Sequence, residues 1–194
     1  MYFTLQSESL KNNADFLAEA IRCKALMEND RSELELEICK VSEKLMDMFF
    51  RGYIGRFEPE EYEEKLPPLD GGLRIEEAGE VIEHQCCSEL DDYLIWAEIL
   101  KVRAAHWTEI WIGHPWIYYR IEDSSIYFTD YCEDLPDNMD YKFVFDKEIF
   151  FAKLRGQLIS LYEFGHKLRR YVQQGYFHKK DVLLDKLITL PQAY

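Results

Sequence analysis

Histidine and tryptophan are concentrated between positions 106 and 116, where two histidines stand among three tryptophans. The two histidines could act as a general acid and a general base, or as ligands together with nearby carboxylates. Tryptophan rings could line a small-molecule pocket beside them. An aromatic core with hydrogen-bonded polar tips explains the same pattern. The sequence therefore offers one candidate ligand pocket, formed by His106, Trp107, Trp111, His114 and Trp116.

Two acidic runs carry carboxylates interleaved with tyrosines. This composition is typical of a surface that inhibits a basic enzyme, because the charges steer the encounter and the aromatic rings supply contact area. Two solvated acidic loops are the alternative interpretation. A calcium loop is not predicted, because the second run lacks the central glycine and the terminal glutamate of such a loop. The predicted partner-binding residues are Glu58, Glu60, Glu61, Tyr62, Glu63, Glu64, Asp130, Tyr131, Glu133, Asp134, Asp137 and Asp140.

Two further patterns contain metal-ligand residue types without a complete ligand set. His84 stands near Cys86 and Cys87, but adjacent cysteines do not readily bind one ion with tetrahedral geometry, and no second pair follows. Glu163 and His166 have the spacing of a di-iron helix motif, which needs a second copy that this chain lacks. Glycine-rich phosphate loops and a nucleophile elbow are also missing. We predict no catalytic residue, no metal and no cofactor, and we favour a binding protein over an enzyme.

Charge is distributed unevenly along the chain. The 194 residues include 23 basic and 37 acidic side chains, which give a formal net charge of −14. Residues 1–150 carry 15 basic and 34 acidic groups, whereas residues 151–194 carry 8 basic and 3 acidic groups. An acidic body repels phosphate backbones, so nucleic-acid binding is not expected. It favours a basic protein partner, although acidity that serves solubility alone is the other interpretation.

The cellular location follows from what the sequence lacks. No run of about 18 apolar residues is present, so we expect no membrane-spanning helix. The N-terminus has no basic stretch followed by an apolar run, so we expect no secretory signal. The five cysteines match neither a disulfide framework nor a zinc site. We therefore expect a cytoplasmic protein; no pattern assigns its oligomeric state.

Two apolar stripes with helical spacing occupy the N-terminal quarter. The first covers residues 8–29. The second follows a capping box at 32–35 and runs from Leu34 to Met48. Because the break between them is short, the pattern predicts an antiparallel helical hairpin over residues 1–51. Core packing explains the second stripe best, and an interface with another chain is the alternative.

The remaining chain is predicted to contain an irregular connection and then a mixed core. Prolines and paired glycines make 52–87 irregular, with a short helix near 58–65 or 76–84. Residues 88–104 fit a helix better than a buried strand. Over 88–194 we predict an α+β core, with strands at 116–121, 126–131 and 141–145, a helix capped by Asp146 over 147–173, and a last helix over 179–189.

The predicted fold class is therefore α+β. It consists of an N-terminal helical hairpin, a small mainly antiparallel sheet, and a long C-terminal helix packed on the sheet. We expect residues 1–194 to form a single domain.

One part of the predicted core has a familiar layout of strand hairpin, strand and long helix. It covers the runs WIYYR at 116–120, IYFTD at 126–130 and FVFDKEIFFAKL at 143–154. This layout resembles small acidic bacterial proteins, including immunity proteins that neutralise secreted toxins. The resemblance implies a non-enzymatic inhibitor and transfers no catalytic residue. The alternative function is a small-ligand binder or an enzyme that uses the histidines and tryptophans of 106–116.

Overall fold

The chain forms two compact units in a computed structural model. The structure describes residues 2–5, 14–22, 26–27, 34–101, 103–134 and 140–187. We call residues 71–159 the central unit, and the described residues of 2–70 and 160–187 the terminal unit. The prediction of a single domain concerns the relation between these units and stays a prediction.

The described residues form six α-helices, ten strands and three short 3₁₀ helices. The α-helices are α1 Ala14–Arg22, α2 Glu43–Ile54, α3 Tyr62–Lys65, α4 Tyr93–Ile99, α5 Lys147–Gln174 and α6 Lys180–Leu187. The strands are β1 Tyr2–Leu5, β2 Leu26–Met27, β3 Leu34–Glu37, β4 Gly71–Gly72, β5 Arg74–Glu77, β6 Glu80–Glu83, β7 Thr108–Ile110, β8 Ile117–Glu122, β9 Ser125–Phe128 and β10 Phe143–Asp146. Short 3₁₀ helices cover Ile38–Lys40, Pro59–Glu61 and Leu90–Asp92.

The central unit is built on an antiparallel sheet with the strand order β10-β9-β8-β7, beside the separate hairpin β5-β6. Side chains alternate between the two faces of the sheet. On β10, Phe143 and Phe145 are buried, whereas Val144 is exposed. The ring of Phe150 on α5 lies 5.3 Å from that of Phe128 and 5.5 Å from that of Phe145. The beginning of α5 therefore packs on the buried face, whereas on the other face Val144 is exposed and Tyr118 is buried.

The terminal unit combines helices with three of the short strands. β3 pairs in antiparallel fashion with both β1 and β2. Helices α1 and α2 contact each other, and α3 contacts α6. The core contains the fully buried side chains of Leu45, Phe50 and Leu168. The buried apolar stripe of α5 thus continues into this unit.

The α+β fold class is confirmed, and so are most of the C-terminal elements. The amide of Ile149 donates to Asp146 Oδ1 at 3.0 Å, which confirms Asp146 as the cap of α5. Strands β8, β9 and β10 and helices α5 and α6 lie within a few residues of their predicted bounds. The helix predicted over 88–104 is confirmed over a shorter range, as the 3₁₀ turn Leu90–Asp92 followed by α4.

The helical prediction for the N-terminal region is wrong in its extent. Of the predicted helix over 8–29, residues 14–22 form α1, whereas residues 26–27 form the strand β2. The predicted capping box fails as well, because residues 34–37 form β3 between two partner strands. Ser32 and Glu33 lie outside the described residues. Backbone pairing with β1 and β2 therefore outweighs the helical spacing that begins at Leu34.

The segment 52–87 is more regular than predicted. It contains the end of α2, the 3₁₀ turn 59–61 with α3, and the hairpin β5-β6. The short helix predicted near 58–65 is confirmed, whereas 76–84 lies mostly in the hairpin. In that hairpin Arg74 Nη1 bonds to Glu83 Oε2 at 2.9 Å across the two strands.

Candidate functional site

The first acidic run forms a folded and strongly charged segment, Glu58–Glu64, in the terminal unit. The Glu58 amide donates to Glu61 Oε2 at 3.1 Å, and the Glu61 amide donates to the Glu58 carbonyl at 2.9 Å. Lys65 pairs with Glu61 at 2.5 Å. The remaining carboxylates of the segment face solvent: Glu58, Glu60, Glu63 and Glu64.

Tyr62 points into the protein instead of towards a partner. Its side chain is only 5% exposed, although glutamates surround it in the sequence. Burial raises the pKa of Tyr62, and the carboxylates of Glu58 and Glu60 raise it further. The ring therefore anchors the acidic segment to the terminal unit. A partner that binds this segment would contact its carboxylates but not the Tyr62 ring.

The second acidic run lies in the central unit, at the end of β9. Lys142 Nζ bonds to Asp130 Oδ1 at 2.7 Å and lowers the pKa of that carboxyl. Tyr131 is half-buried, and its hydroxyl accepts the Glu83 amide at 3.2 Å. Asp137 lies outside the described residues. The exposed carboxylates of this run are Asp130, Glu133, Asp134 and Asp140.

The thiol of Cys132 shows how negative this end of the central unit is. Burial raises the pKa of Cys132, and the carboxylates of Glu109, Asp130 and Asp134 raise it further, against a lowering hydrogen bond with Thr129. Glu109 comes from β7, far from the acidic run in the sequence. The fold thus adds a carboxylate that the acidic run alone does not indicate.

The candidate histidine and tryptophan pocket is divided into two groups. Trp111, His114 and Trp116 form one group, in which the ring centroids lie 4.9 to 6.1 Å apart. Both histidines are exposed. His106 contributes a backbone contact, since its carbonyl accepts the Thr108 hydroxyl at 3.1 Å.

Trp107 belongs to the second group, on the open face of the sheet. The Arg120 guanidinium lies 5.0 Å from the Trp107 ring centroid and 5.2 Å from that of Tyr127. The Tyr127 ring in turn contacts Tyr141 edge to face at 5.2 Å. The sequence does not indicate that these four residues lie together, because Trp107 and Tyr141 precede two different strands, Arg120 and Tyr127 lie on two others, and only the pairing of the strands brings them into contact.

A pocket of about 280 Å³ lies in the terminal unit, between α2 and α5. The Tyr171 hydroxyl donates to Asp47 Oδ1 at 2.8 Å, and Arg51 Nε bonds to the same oxygen at 2.7 Å. Sequence analysis missed this pocket, although the i, i+3, i+4, i+7 spacing on α5 is visible in the sequence. The lining residues are Glu43, Met46, Asp47, Lys167, Arg170, Tyr171 and Gln174.

The two patterns of metal-ligand residue types do not assemble into a ligand set in the part of the chain that the structure describes. There, no group of three or more His, Cys, Asp or Glu side chains is placed to hold a metal ion. The Cys86 thiol donates to the His114 carbonyl at 3.0 Å. The His166 ring contacts Tyr162 at 4.3 Å.

None of the helices described is both long enough and apolar enough to cross a membrane. Comparisons of the chain with protein families, with curated proteins and with solved structures found no match.

Proposed function

We propose that this protein is a non-enzymatic binding protein that recognises a basic protein through exposed carboxylates. The observation that carries the proposal is the folded segment Glu58–Glu64, in which the buried Tyr62 holds a row of glutamates towards solvent. Carboxylates fixed on a folded segment steer a basic partner and need little ordering when it binds.

The second acidic run supports the same conclusion from the other unit. Asp130 and Asp134 of this run act on the Cys132 thiol together with Glu109 from β7, and all three raise the pKa of that thiol, so negative charge is concentrated at this end of the central unit. The partner we propose is a basic toxin or enzyme that the protein neutralises in the bacterial cytoplasm. An immunity-type role agrees with the net charge of −14 and with the strand and helix layout of residues 116–154.

The test begins with capture of partners on the immobilised full chain from an extract of the native cell at low salt. A basic protein that is recovered in stoichiometric amount is then purified, and its association rate is measured as a function of salt. Two charge-reversal variants locate the surface: Glu60, Glu63 and Glu64 to Lys in one, and Glu133, Asp134 and Asp140 to Lys in the other.

A third variant is the matched control, with Glu80, Glu163 and Asp185 changed to Lys. These residues are also exposed, and the change in net charge is identical. We expect at least one of the first two variants to slow association about tenfold and the control to slow it less than about threefold. Equal slowing by all three variants would contradict local recognition, and association that is independent of salt would contradict the electrostatic mechanism.

A second candidate function rests on the ring group Trp111, His114 and Trp116. Its three rings pack against one another, and with His114 exposed and both tryptophans partly exposed they present an aromatic surface on which a flat small molecule can stack. A screen of small molecules by tryptophan fluorescence tests this candidate, with His114→Ala as the variant. A ligand that loses affinity in His114→Ala would favour this function, whereas a screen without such a ligand would favour protein binding.

A further inference from the structure

The open face of the central sheet presents a row of aromatic rings and one guanidinium. The register places Arg120 on β8 opposite Tyr127 on β9, and Tyr127 opposite Val144 on β10. These residues share the face opposite Phe128 and Phe145. Tyr141 extends the row and is 56% exposed, and Val144 is 42% exposed. We call Trp107, Arg120, Tyr127, Tyr141 and Val144 the sheet-face row.

The residue types of the sheet-face row are those of a hot spot in a protein–protein interface. Tryptophan, tyrosine and arginine are the residue types that contribute most when an interface forms. The tyrosines within the two acidic runs do not supply this contact, since Tyr62 is buried and Tyr131 is half-buried with its hydroxyl engaged. Tyr141, which is exposed and follows Asp140 directly, therefore supplies aromatic area that the tyrosines within the two acidic runs do not.

The charges around the row select the partner. The cation of the row and the lysine beside it are already paired, because Arg120 Nη2 lies 3.5 Å from Glu122 Oε2 and Lys142 bonds to Asp130. Glu109 lies on the same face, where the Tyr118 hydroxyl donates to it at 3.2 Å. Glu133, Asp134 and Asp140 are nearby in the sequence, so carboxylates outnumber cations around the row. A positively charged partner complements this excess of negative charge.

The row itself shows which cation fits. Arg120 already lies between two aromatic rings at about the cation–π distance, with its guanidinium near Trp107 and Tyr127. A planar guanidinium stacks on aromatic faces better than an ammonium does, so an arginine suits the exposed Tyr141 ring better than a lysine. We propose that the sheet-face row is the docking surface for an arginine-bearing basic segment of a protein partner.

This inference rests on the proposed function and deepens it, because it names the second contact that the partner makes. The test uses the ¹⁵N-labelled full chain and a short amidated peptide in which arginines alternate with glycine and serine. Matched peptides carry lysine or glutamate in place of arginine. The indole N–H signal of Trp107, assigned with Trp107→Phe, reports on the row, and the indole signals of Trp111 and Trp116 report on the ring group nearby.

We expect the arginine peptide to shift the Trp107 indole and the amides of Arg120, Tyr127 and Val144, and to bind about threefold more tightly than the lysine peptide. Tyr141→Ala should weaken arginine-peptide binding about fivefold. Tyr176→Ala is the control, since that tyrosine lies in the terminal unit and is 97% exposed. The glutamate peptide should not bind.

Three outcomes would overturn the inference. In the first, the arginine peptide shifts only residues 58–64, which leaves the proposed function standing and removes the sheet face from it. In the second, Tyr141→Ala binds the arginine peptide as the wild type does. In the third, the free chain forms a concentration-dependent dimer that Tyr141→Ala abolishes, which assigns the row to a second copy of the chain. Failure of the proposed function is measured separately, by the salt and charge-reversal experiment.

Discussion

Ser42 and Glu19 are joined by a 2.6 Å hydrogen bond between Ser42 Oγ and Glu19 Oε1, across 23 residues of chain. The same serine hydroxyl accepts the Leu45 amide at 3.1 Å and so caps α2. Glu19 on α1 is only 5% exposed, and Lys44 lies 3.8 Å from its other oxygen. One hydroxyl thus begins one helix and satisfies a buried carboxylate of the other.

Ser42→Ala should lower the free energy of unfolding by about 2 kcal/mol. The helix loses its cap, which costs about 1 kcal/mol, and a buried carboxylate loses a donor, which costs a similar amount. Chemical denaturation at neutral pH measures the change. Ser42→Thr keeps the hydroxyl and should lose less than half as much. An unchanged midpoint in Ser42→Ala would show that the hydroxyl stabilises neither helix.

Tyr171 should make stability depend on pH in the alkaline range. Burial and the hydrogen bond to Asp47 raise the pKa of Tyr171 in the folded protein. The folded state therefore favours the neutral phenol, and this contribution is complete below the unfolded pKa of about 10 and is lost as the pH rises above it. Tyr171→Phe should cost about 1 kcal/mol at pH near 7 and less at pH near 11.

Asp47, the partner of Tyr171, should make stability fall as the pH is lowered. Burial alone would raise the pKa of Asp47, but the hydrogen bonds from Arg51 and Tyr171 lower it on balance. Its contribution is present above about pH 4 and is lost as the pH falls further. Denaturation curves of the wild type and Tyr171→Phe, recorded from about pH 3 to about pH 11, measure the acid and the alkaline dependence of stability. Tyr176→Phe is the control, and a Tyr171→Phe profile parallel to the wild type at high pH would contradict the prediction.

Gly113→Ala should destabilise the central unit by about 3 kcal/mol. Gly113 has φ +96°, and a Cβ there would lie 2.2 Å from the Cys86 carbonyl oxygen, which is backbone and cannot rotate away. Gly79→Ala separates the two effects, because Gly79 has φ +89° and a Cβ added there would meet no atom within 4 Å. It should cost only about 1 kcal/mol. Thermal unfolding compares the variants, and equal losses would assign the whole effect to backbone conformation.

Tyr62→Ala should cost about 3 kcal/mol, because it removes a nearly buried ring. Tyr62→Phe keeps the ring and should stay within about 1 kcal/mol of the wild type. Urea denaturation measures both changes, and the exposed Glu64→Gln serves as a surface control. A Tyr62→Ala protein as stable as the wild type would show that the ring does not anchor the acidic segment.

The C-terminal half of the fold could be predicted because its signals are local. Phe143 and Phe145 alternate with polar or exposed positions over one strand, and Asp146 marks the beginning of a long apolar stripe. The N-terminal strands could not be predicted in the same way. The sequence from Leu34 onward also fits helical spacing, and only the pairing of β3 with two distant strands decides between the alternatives.

The sequence indicates the acidic residue types of the candidate site but not their geometry. The carboxylates of both acidic runs are largely exposed, as an acidic composition indicates. Nothing local shows that Tyr62 is buried while Tyr141 is exposed, since each stands beside acidic residues in the sequence. The pairing of Trp107 with Arg120 depends on strand register, which a short alternating pattern does not determine.

The buried Tyr62 and the solvent-facing glutamates around it differ in how freely each can be substituted during evolution. Each carboxylate of Glu58–Glu64 that faces solvent acts mainly through the summed field, so an aspartate or a glutamate one position away can replace it. The ring occupies a defined space in the core and has no such substitute. We expect related sequences to keep an aromatic residue at the position of Tyr62, whereas the number and order of the acidic residues around it vary.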